Sequence, residues 1–110
     1  MHPRRGEVWW VSFDPSIGGE IRKTRPALVI SNDAANTALN RVIVIPITSQ
    51  TAKIYPGEAI ITLNGEQRKA MADQIMTASK QRLSNRLGNL SRADMTAVEN
   101  AVLLQLGIRR

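Results

Sequence analysis

Short runs of branched and aromatic residues, bounded by turn-forming residues, occupy much of the chain between residues 6 and 78. Such runs predict β-strands. The predicted strands are residues 6–14, 25–33, 41–50, 57–63 and 70–78. Several short strands in a small chain would leave exposed edges in a flat sheet, so the sequence favours a strongly bent small barrel or half-barrel.

The run RVIVIPITSQ, residues 41–50, differs from the other predicted strands in being almost continuously apolar before it ends in polar residues. This pattern is typical of a strand that is buried on both faces and whose end emerges at a surface. Pro46 has no N–H to donate, so we expect a bulge or a sheet edge there. By contrast PSIGGEIRKT, residues 15–24, has no periodicity and predicts a long loop of the kind that often carries function.

The pattern SRADMTAVENAVLLQLG, residues 91–107, predicts one C-terminal helix. Ser91 followed by Asp94 approximates a capping box, and Gly107 is a suitable terminator. Apolar residues recur at helical spacing at Met95, Val98, Val102 and Leu106. The sequence therefore predicts a mainly β fold that a single helix covers on one side.

Composition limits the chain to a narrow set of classes. At 110 residues and 12.2 kDa we expect a single domain spanning residues 1–110. No apolar run approaches the ~18 residues that span a bilayer, and the N-terminus does not resemble a secretory signal, so we expect a cytoplasmic protein without a membrane segment. A formal charge of +6 favours partners that carry phosphate or carboxylate groups.

Several common reaction chemistries have no residues to support them. The chain has no cysteine, and its only histidine is His2, so neither a thiolate site nor a pair of histidines can form within one chain. Its acidic residues lack the close paired spacing that a magnesium site favours. Nucleophile-elbow, P-loop and dinucleotide-binding motifs are also absent. We therefore expect no bound metal and no cofactor.

Charged and hydroxyl residues at two strand ends remain as candidates for chemistry. Arg25 stands where the long loop becomes a strand and Thr48 at the far end of the apolar strand, so both could reach one rim of a curled sheet. A guanidinium would stabilise negative charge on a phosphate, the Thr48 hydroxyl could hold that phosphate in line, and Glu20 could accept a proton. Structural alternatives exist for each: a solvated charge, a β-favouring residue, and a loop acid paired with Arg22 or Lys23.

The segments RRGEVWWVSFDPSIGGE, TRPALVISND and VIPITSQ, followed by ADQI and a terminal helix, together resemble the MazF/PemK family of toxins from bacterial toxin–antitoxin pairs. The resemblance extends over nearly the whole chain. It implies an SH3-like barrel with a C-terminal helix, a homodimer, and metal-independent, sequence-specific cleavage of single-stranded RNA. In the usual family reaction the 2′-hydroxyl attacks its own phosphate and leaves a 2′,3′-cyclic phosphate and a 5′-hydroxyl.

The resemblance also assigns roles to residues. It implies Arg25, Thr48 and Glu20 as catalytic, although the loop reads GGEI where many relatives read GSEQ, which affects the choice of cleavage site. The implied RNA-binding residues are Gly19, Arg22, Lys23, Ser49, Gln50, Lys53 and Gln74. The family further implies a cognate antitoxin whose extended, often acidic tail occupies the same groove.

Two other functions stay open from the sequence. One is a non-enzymatic gyrase poison similar to the CcdB family, which shares this fold and binds through its terminal helix. The other is a basic RNA-binding barrel without catalysis. Only the shared architecture supports a gyrase poison, and the presence of both Arg25 and Thr48 argues against it.

Overall fold

Seven antiparallel strands form one curled sheet with a helix packed against it in a computed structural model that describes residues 2–13 and 24–109. The sheet order is β4-β5-β3-β2-β1-β7, and β6 also pairs with β3. The elements are β1 (Glu7–Ser12), β2 (Thr24–Val29), α1 (Asp33–Ala38), β3 (Arg41–Thr48), β4 (Glu58–Leu63), β5 (Glu66–Met71), β6 (Met76–Ser79), β7 (Leu83–Asn89) and α2 (Arg92–Gln105). The predicted mainly β fold with a C-terminal helix is confirmed.

The sheet bends around β3. One edge of β3 pairs with β2, while its other edge pairs with β6 through residues 41–44 and with β5 through residues 47–48. Pro46 lies between these two pairings, at a position where this edge of β3 needs no N–H donor. The proline that predicted a bulge or an edge thus marks the point at which β3 changes partner.

Apolar side chains are buried on both faces of β3, as its sequence predicts. The larger core cluster includes Ile45 and Ile47 together with Leu28 of β2 and Val98 of α2. A second cluster includes Val42, Val44 and Val11, and the partly buried Trp9 packs against it. The central strands are therefore fixed from both sides, which gives their ends defined positions.

Truncation of a side chain in the larger cluster tests this packing. Leu28 is fully buried, at 0% exposure, so Leu28→Ala should lower the free energy of unfolding by about 2–5 kcal/mol through lost burial and a residual cavity. Leu104 is 63% exposed, and Leu104→Ala is the matched control, expected within about 0.5 kcal/mol of the parent. Urea denaturation of both variants measures the difference. Equal midpoints would contradict this description of the core.

The predicted signals are present at both ends of α2, Ser91 at its start and Gly107 after its end. Asp94 N donates to Ser91 Oγ at 3.1 Å, whereas the Asp94 carboxylate accepts from Thr62 N of β4 at 2.9 Å. The bond from the Asp94 amide to the Ser91 side chain forms as in a capping box. The Asp94 carboxylate bonds to β4 and not back to the Ser91 amide. Gly107 has φ +70°, and the bonds Gly107 N to Leu104 O and Ile108 N to Leu103 O complete a Schellman motif. Within the described residues no helix is long and apolar enough to cross a membrane.

The predicted strand at residues 70–78 is wrong in its limits. Asn64 and Gly65 both have positive φ, at 51° and 81°, and form a two-residue hairpin turn that lets β5 begin at Glu66. A 3-10 turn, Ala72–Gln74, then separates β5 from β6. Polar residues at the start of β5 concealed it from a reading that relied on apolar runs.

Three further features differ from the sequence-based expectation. β2 ends at Val29 and not at residue 33, because the Asn32 side chain accepts from Ala35 N at 2.8 Å and caps α1. α1 has only six residues, too few for a periodic pattern. β7 was not predicted because most of its residues are polar and exposed; it is ordered by antiparallel pairing with β1.

The N-terminal segment is tied to the start of α1 and to α2. Arg5 N donates to Asp33 Oδ1 at 2.7 Å, and the Arg5 guanidinium bonds to Ile30 O and Glu99. The backbone bond from Arg5, followed by the Asn36 side chain, lowers the pKa of the Asp33 carboxyl below its ordinary value. These contacts lie away from the strand ends described next.

Candidate active site

A cavity of about 230 Å³ opens at one rim of the curled sheet. Four strands or their ends contribute to its wall, so the position of the cavity is set by the sheet and not by one loop. Its lining residues are Trp10, Arg25, Pro26, Ile47, Thr48, Ser49 and Arg68. Two cations, two hydroxyl groups and an indole thus share one opening.

The strand register explains why Arg25 and Thr48 meet there. Ala27 of β2 pairs with Pro46 of β3 in antiparallel register. Partners in such a ladder advance in opposite directions, so two residues before Ala27 and two after Pro46 come to adjacent positions with side chains on the same face. Those residues are Arg25 and Thr48. The meeting predicted from their strand-end positions is confirmed by the cavity that both line.

The Arg25 guanidinium has neither an ion pair nor a hydrogen bond to any residue in the described ranges. It differs in this from Arg5, Arg68 and Arg86, each of which pairs with a carboxylate. Its side chain is only partly exposed at the cavity wall. Five N–H donors with a permanent positive charge are therefore available to an anion that enters the cavity.

The Thr48 hydroxyl is held by the turn that follows it. Thr48 Oγ1 accepts from Gln50 N at 3.2 Å. This bond uses one lone pair of the oxygen and leaves the O–H free to donate. On its other side Thr48 pairs with Lys69 of β5, so both the backbone and the hydroxyl are fixed. The group can donate to a phosphate oxygen in a defined direction.

Arg68 lines the same cavity and was not predicted. Its Nη2 lies 2.5 Å from Glu66 Oε2, and its side chain is 29% exposed. The sequence places Arg68 between a turn and a strand, and nothing local shows that β5 pairs with the end of β3. The sequence NGEQ, residues 64–67, predicts a turn between the two strands, and the structure limits this turn to Asn64 and Gly65, so that β5 starts at Glu66 and brings Arg68 near Ser49.

The two adjacent tryptophans have different surroundings. Trp9 packs against the second core cluster and its Nε1 donates to Glu7 Oε1 at 3.1 Å. Trp10 lies on the other face of β1 and lines the cavity. The alternation of side chains along β1 thus separates a tryptophan that packs on the core from one that lines the cavity. An indole beside two guanidinium groups forms a surface suited to a nucleotide base.

Comparison with known proteins assigns the chain to a family. The sequence profile of the PemK-like, MazF-like toxins of type II toxin–antitoxin systems matches residues 4–106. The chain belongs to this family. Endoribonuclease MazF9 of Mycobacterium tuberculosis (strain ATCC 25618 / H37Rv) is 39% identical over 114 residues, which cover 96% of this chain and 97% of that protein. Endoribonuclease EndoA of Bacillus subtilis (strain 168) is 33% identical over 113 residues, covering 98% and 97%.

A solved structure extends the likeness of this PemK/MazF family member to three dimensions. An endoribonuclease from Mycobacterial species, in complex with its cognate antitoxin, superposes with a TM-score of 0.81 at 27% identity. The superposition covers 98% of each chain. The match therefore extends over the whole described sheet and α2.

The other residues that the family resemblance implied are more dispersed. Gln50 and Lys53 are exposed on the loop after β3, and neither lines the cavity. Gln74 lies on the 3-10 turn beyond β5, where its Nε2 approaches Met71 Sδ at 3.5 Å. The predicted residues Gly19, Glu20, Arg22 and Lys23 lie outside the described residues. The structure thus brings together Arg25, Thr48 and Ser49.

No group of three or more His, Cys, Asp or Glu side chains occurs at metal-binding distance within residues 2–13 and 24–109. Two carboxylates of β4 and β5, the strands beside the end of β3, are engaged with cations. Glu66 pairs with Arg68, and Glu58 pairs with Lys69. The described part of the cavity wall therefore presents cationic and hydroxyl groups to a ligand.

Proposed function

We propose that this PemK/MazF-family chain is a sequence-specific, metal-independent endoribonuclease toxin that cleaves single-stranded RNA. The observation that carries the proposal is the shared cavity of Arg25, which has no partner among the described residues, and Thr48, whose O–H is free to donate. The endoribonuclease names of the relatives support the same assignment. The proposed products are a 2′,3′-cyclic phosphate and a 5′-hydroxyl.

The proposed reaction is an internal displacement at phosphorus. The ribose 2′-oxygen forms a bond to the phosphorus while the bond from phosphorus to the 5′-oxygen breaks, and a proton moves from the 2′-hydroxyl to a base. Arg25 stabilises the extra negative charge on the phosphate oxygens, and Thr48 holds one of those oxygens in line. Glu20 is proposed as the base, because the chain's only histidine is His2. The 5′-oxygen takes up a proton from solvent as it leaves, so that one proton is released and one is consumed.

RNA recognition is proposed for side chains around this centre. Ser49, Gln50 and Lys53 lie within the five residues that follow Thr48, and Trp10 offers a flat apolar face at the cavity. Phosphate contacts from cations would supply affinity, and contacts to base edges would supply selection. Gly19, Arg22, Lys23 and Gln74 complete the proposed set.

We also propose that a cognate antitoxin inhibits the chain by placing an extended acidic tail in the same groove. A formal charge of +6 and a cavity with two guanidinium groups suit carboxylates as well as phosphates. The solved relative in complex with its cognate antitoxin supports a protein inhibitor. A homodimer in the cytoplasm completes the proposal. Leu106 and Ile108 are each more than half exposed, which supports a protein contact at the end of α2.

Incubation of the purified chain with a long single-stranded RNA in EDTA tests the proposal. We expect discrete fragments whose ends carry a 2′,3′-cyclic phosphate and a 5′-hydroxyl, measured by mass spectrometry. An RNA with a 2′-deoxy residue at the cleavage position should resist at that position alone. Intact RNA together with inhibition of DNA gyrase would instead favour a gyrase poison of the CcdB kind, and binding without either effect would favour a non-catalytic RNA-binding barrel.

Salt dependence tests the proposed role of the cations. With an RNA protected by a 2′-deoxy residue, the logarithm of the affinity should fall linearly with the logarithm of salt concentration. Lys53→Ala should reduce the magnitude of the slope by about 0.7, the value for one phosphate contact to a single strand. Lys80→Ala, which removes the same charge from the turn between β6 and β7, should leave the slope unchanged. A flat response in the parent protein would contradict binding led by phosphates.

A further inference from the structure

Lys69 is a buried cation on β5, next in sequence to the cavity residue Arg68, that no part of the proposed chemistry uses. It is 7% exposed, although lysine is rarely buried without a partner. Its neighbour in sequence, Arg68, lines the cavity, whereas Lys69 does not and instead contacts the segment between β3 and β4. A buried ammonium group on the strand that pairs with Thr48 requires an explanation.

Lys69 Nζ makes all its contacts with one connecting segment and the strand that this segment leads to. Nζ donates to the Lys53 carbonyl oxygen at 2.9 Å and lies 3.2 Å from Glu58 Oε1. It also lies 5.8 Å from the centroid of the Tyr55 ring, which allows a cation–π contact. Glu58 Oε1 in turn accepts from Tyr55 N at 2.7 Å. The ammonium and the carboxylate together fix two backbone groups of the segment.

The topology shows why this segment needs such a fixing point. Residues 49–57, which we call the crossover loop, join the end of β3 to the start of β4, and β5 lies between these two strands. The loop must therefore pass over β5. Lys69 is the β5 residue that pairs with Thr48 on one side and with Ile60 on the other. The Lys69 side chain thus bonds to the middle of the crossover loop at Lys53 O and to Glu58, just after the end of the loop.

We propose that Lys69 is a positioning residue for RNA binding, acting through the crossover loop. The inference depends on the proposed function, because Ser49, Gln50 and Lys53 of this loop are the proposed RNA contacts. Without the Lys69 bonds the loop would keep its covalent ends but lose the anchor at Lys53 and Tyr55. Arg25 and Thr48 would stay in place because they belong to β2 and β3. The expected defect is therefore in substrate binding more than in the chemical step.

Kinetics of Lys69→Met test this split, since methionine keeps an unbranched apolar stem and removes the charge. At a temperature well below the unfolding midpoint, KM should rise at least about 10-fold, a typical scale for misplaced substrate contacts, while kcat changes much less. The double variant Lys69→Met/Glu58→Gln removes both charges and should show the same rise in KM without an unpaired carboxylate. Lys69→Arg, which keeps the charge, should restore part of the affinity. Lys80→Met is the matched control and should have the parent KM.

Hydrogen exchange supplies a readout that does not depend on activity. In Lys69→Met the Tyr55 amide, whose acceptor Glu58 Oε1 loses its ion pair with Nζ, should exchange faster, while the amides of β2 and β3 keep their protection. A parent KM in the folded double variant would overturn the inference, as would unchanged exchange in the crossover loop. If the parent protein itself cleaves no RNA, the proposed function fails first, and a faster exchange would then leave Lys69 as a structural anchor only.

Discussion

Arg25→Ala should reduce the rate of RNA cleavage by at least about 10²-fold, the scale of losing one charged or preorganised donor to the reacting oxygens. The physical reason is the position of the guanidinium at the cavity, where its donors have no competing partner among the described residues. Its removal withdraws positive charge at the moment when the phosphate gains negative charge. Single-turnover cleavage of a defined RNA, with enzyme in excess, measures the chemical step directly.

Two control variants separate the position of the charge from the charge itself. Arg41→Ala lowers the net charge by the same amount at the opposite end of β3, and we expect the parent rate. Arg25→Lys keeps the charge but loses the forked donors, and its rate should lie between those of the parent and Arg25→Ala. A folded Arg25→Ala protein that cleaves at the parent rate would remove Arg25 from the reaction.

Thr48→Val should slow cleavage by about 10- to 100-fold, the kinetic equivalent of a hydrogen bond of about 1.5–3 kcal/mol to a charged group. Valine keeps the branched shape that suits the end of β3, so the strand and its pairing with Lys69 should persist. The variant deletes only the hydroxyl, which accepts from Gln50 N and belongs to a residue that lines the cavity.

Thr48→Ser is the matched comparison, because it restores the hydroxyl without the methyl group. Its rate should return most of the way to that of the parent. The circular dichroism spectrum and unfolding midpoint of Thr48→Val should match the parent values. If the valine protein turned over as fast as the parent, Thr48 would have only a structural role.

The sequence predicted much of the fold because its signals were local. The apolar run ending at Thr48, the proline that marks a change of partner, and the Ser91 and Gly107 signals at the ends of α2 all act within a few residues. β7 is the counterexample. Its mostly polar residues form a strand because β1 offers an open edge, and that information lies some 80 positions away in the chain.

The candidate site was predictable to the same extent. Arg25 and Thr48 both stand at strand ends, so a curled sheet alone was enough to bring them to one rim. Arg68 and Lys69 were missed because their roles depend on the register of β5 against β3, which no local pattern specifies. β5 begins with polar residues on both faces, a pattern that predicts a loop, and only its pairing with β3 and β4 identifies it as a strand.

A double-mutant cycle between Arg25→Ala and Thr48→Val tests most directly whether the two side chains act on one phosphate. Single-turnover cleavage in EDTA would be measured for the parent, both single variants and the double variant. If they act as a unit, the double variant should be little slower than the slower single variant, because groups that work together are non-additive. Two rate losses that multiply in full would contradict the claim of a shared phosphate, and a parent protein that leaves RNA intact would contradict the proposed function.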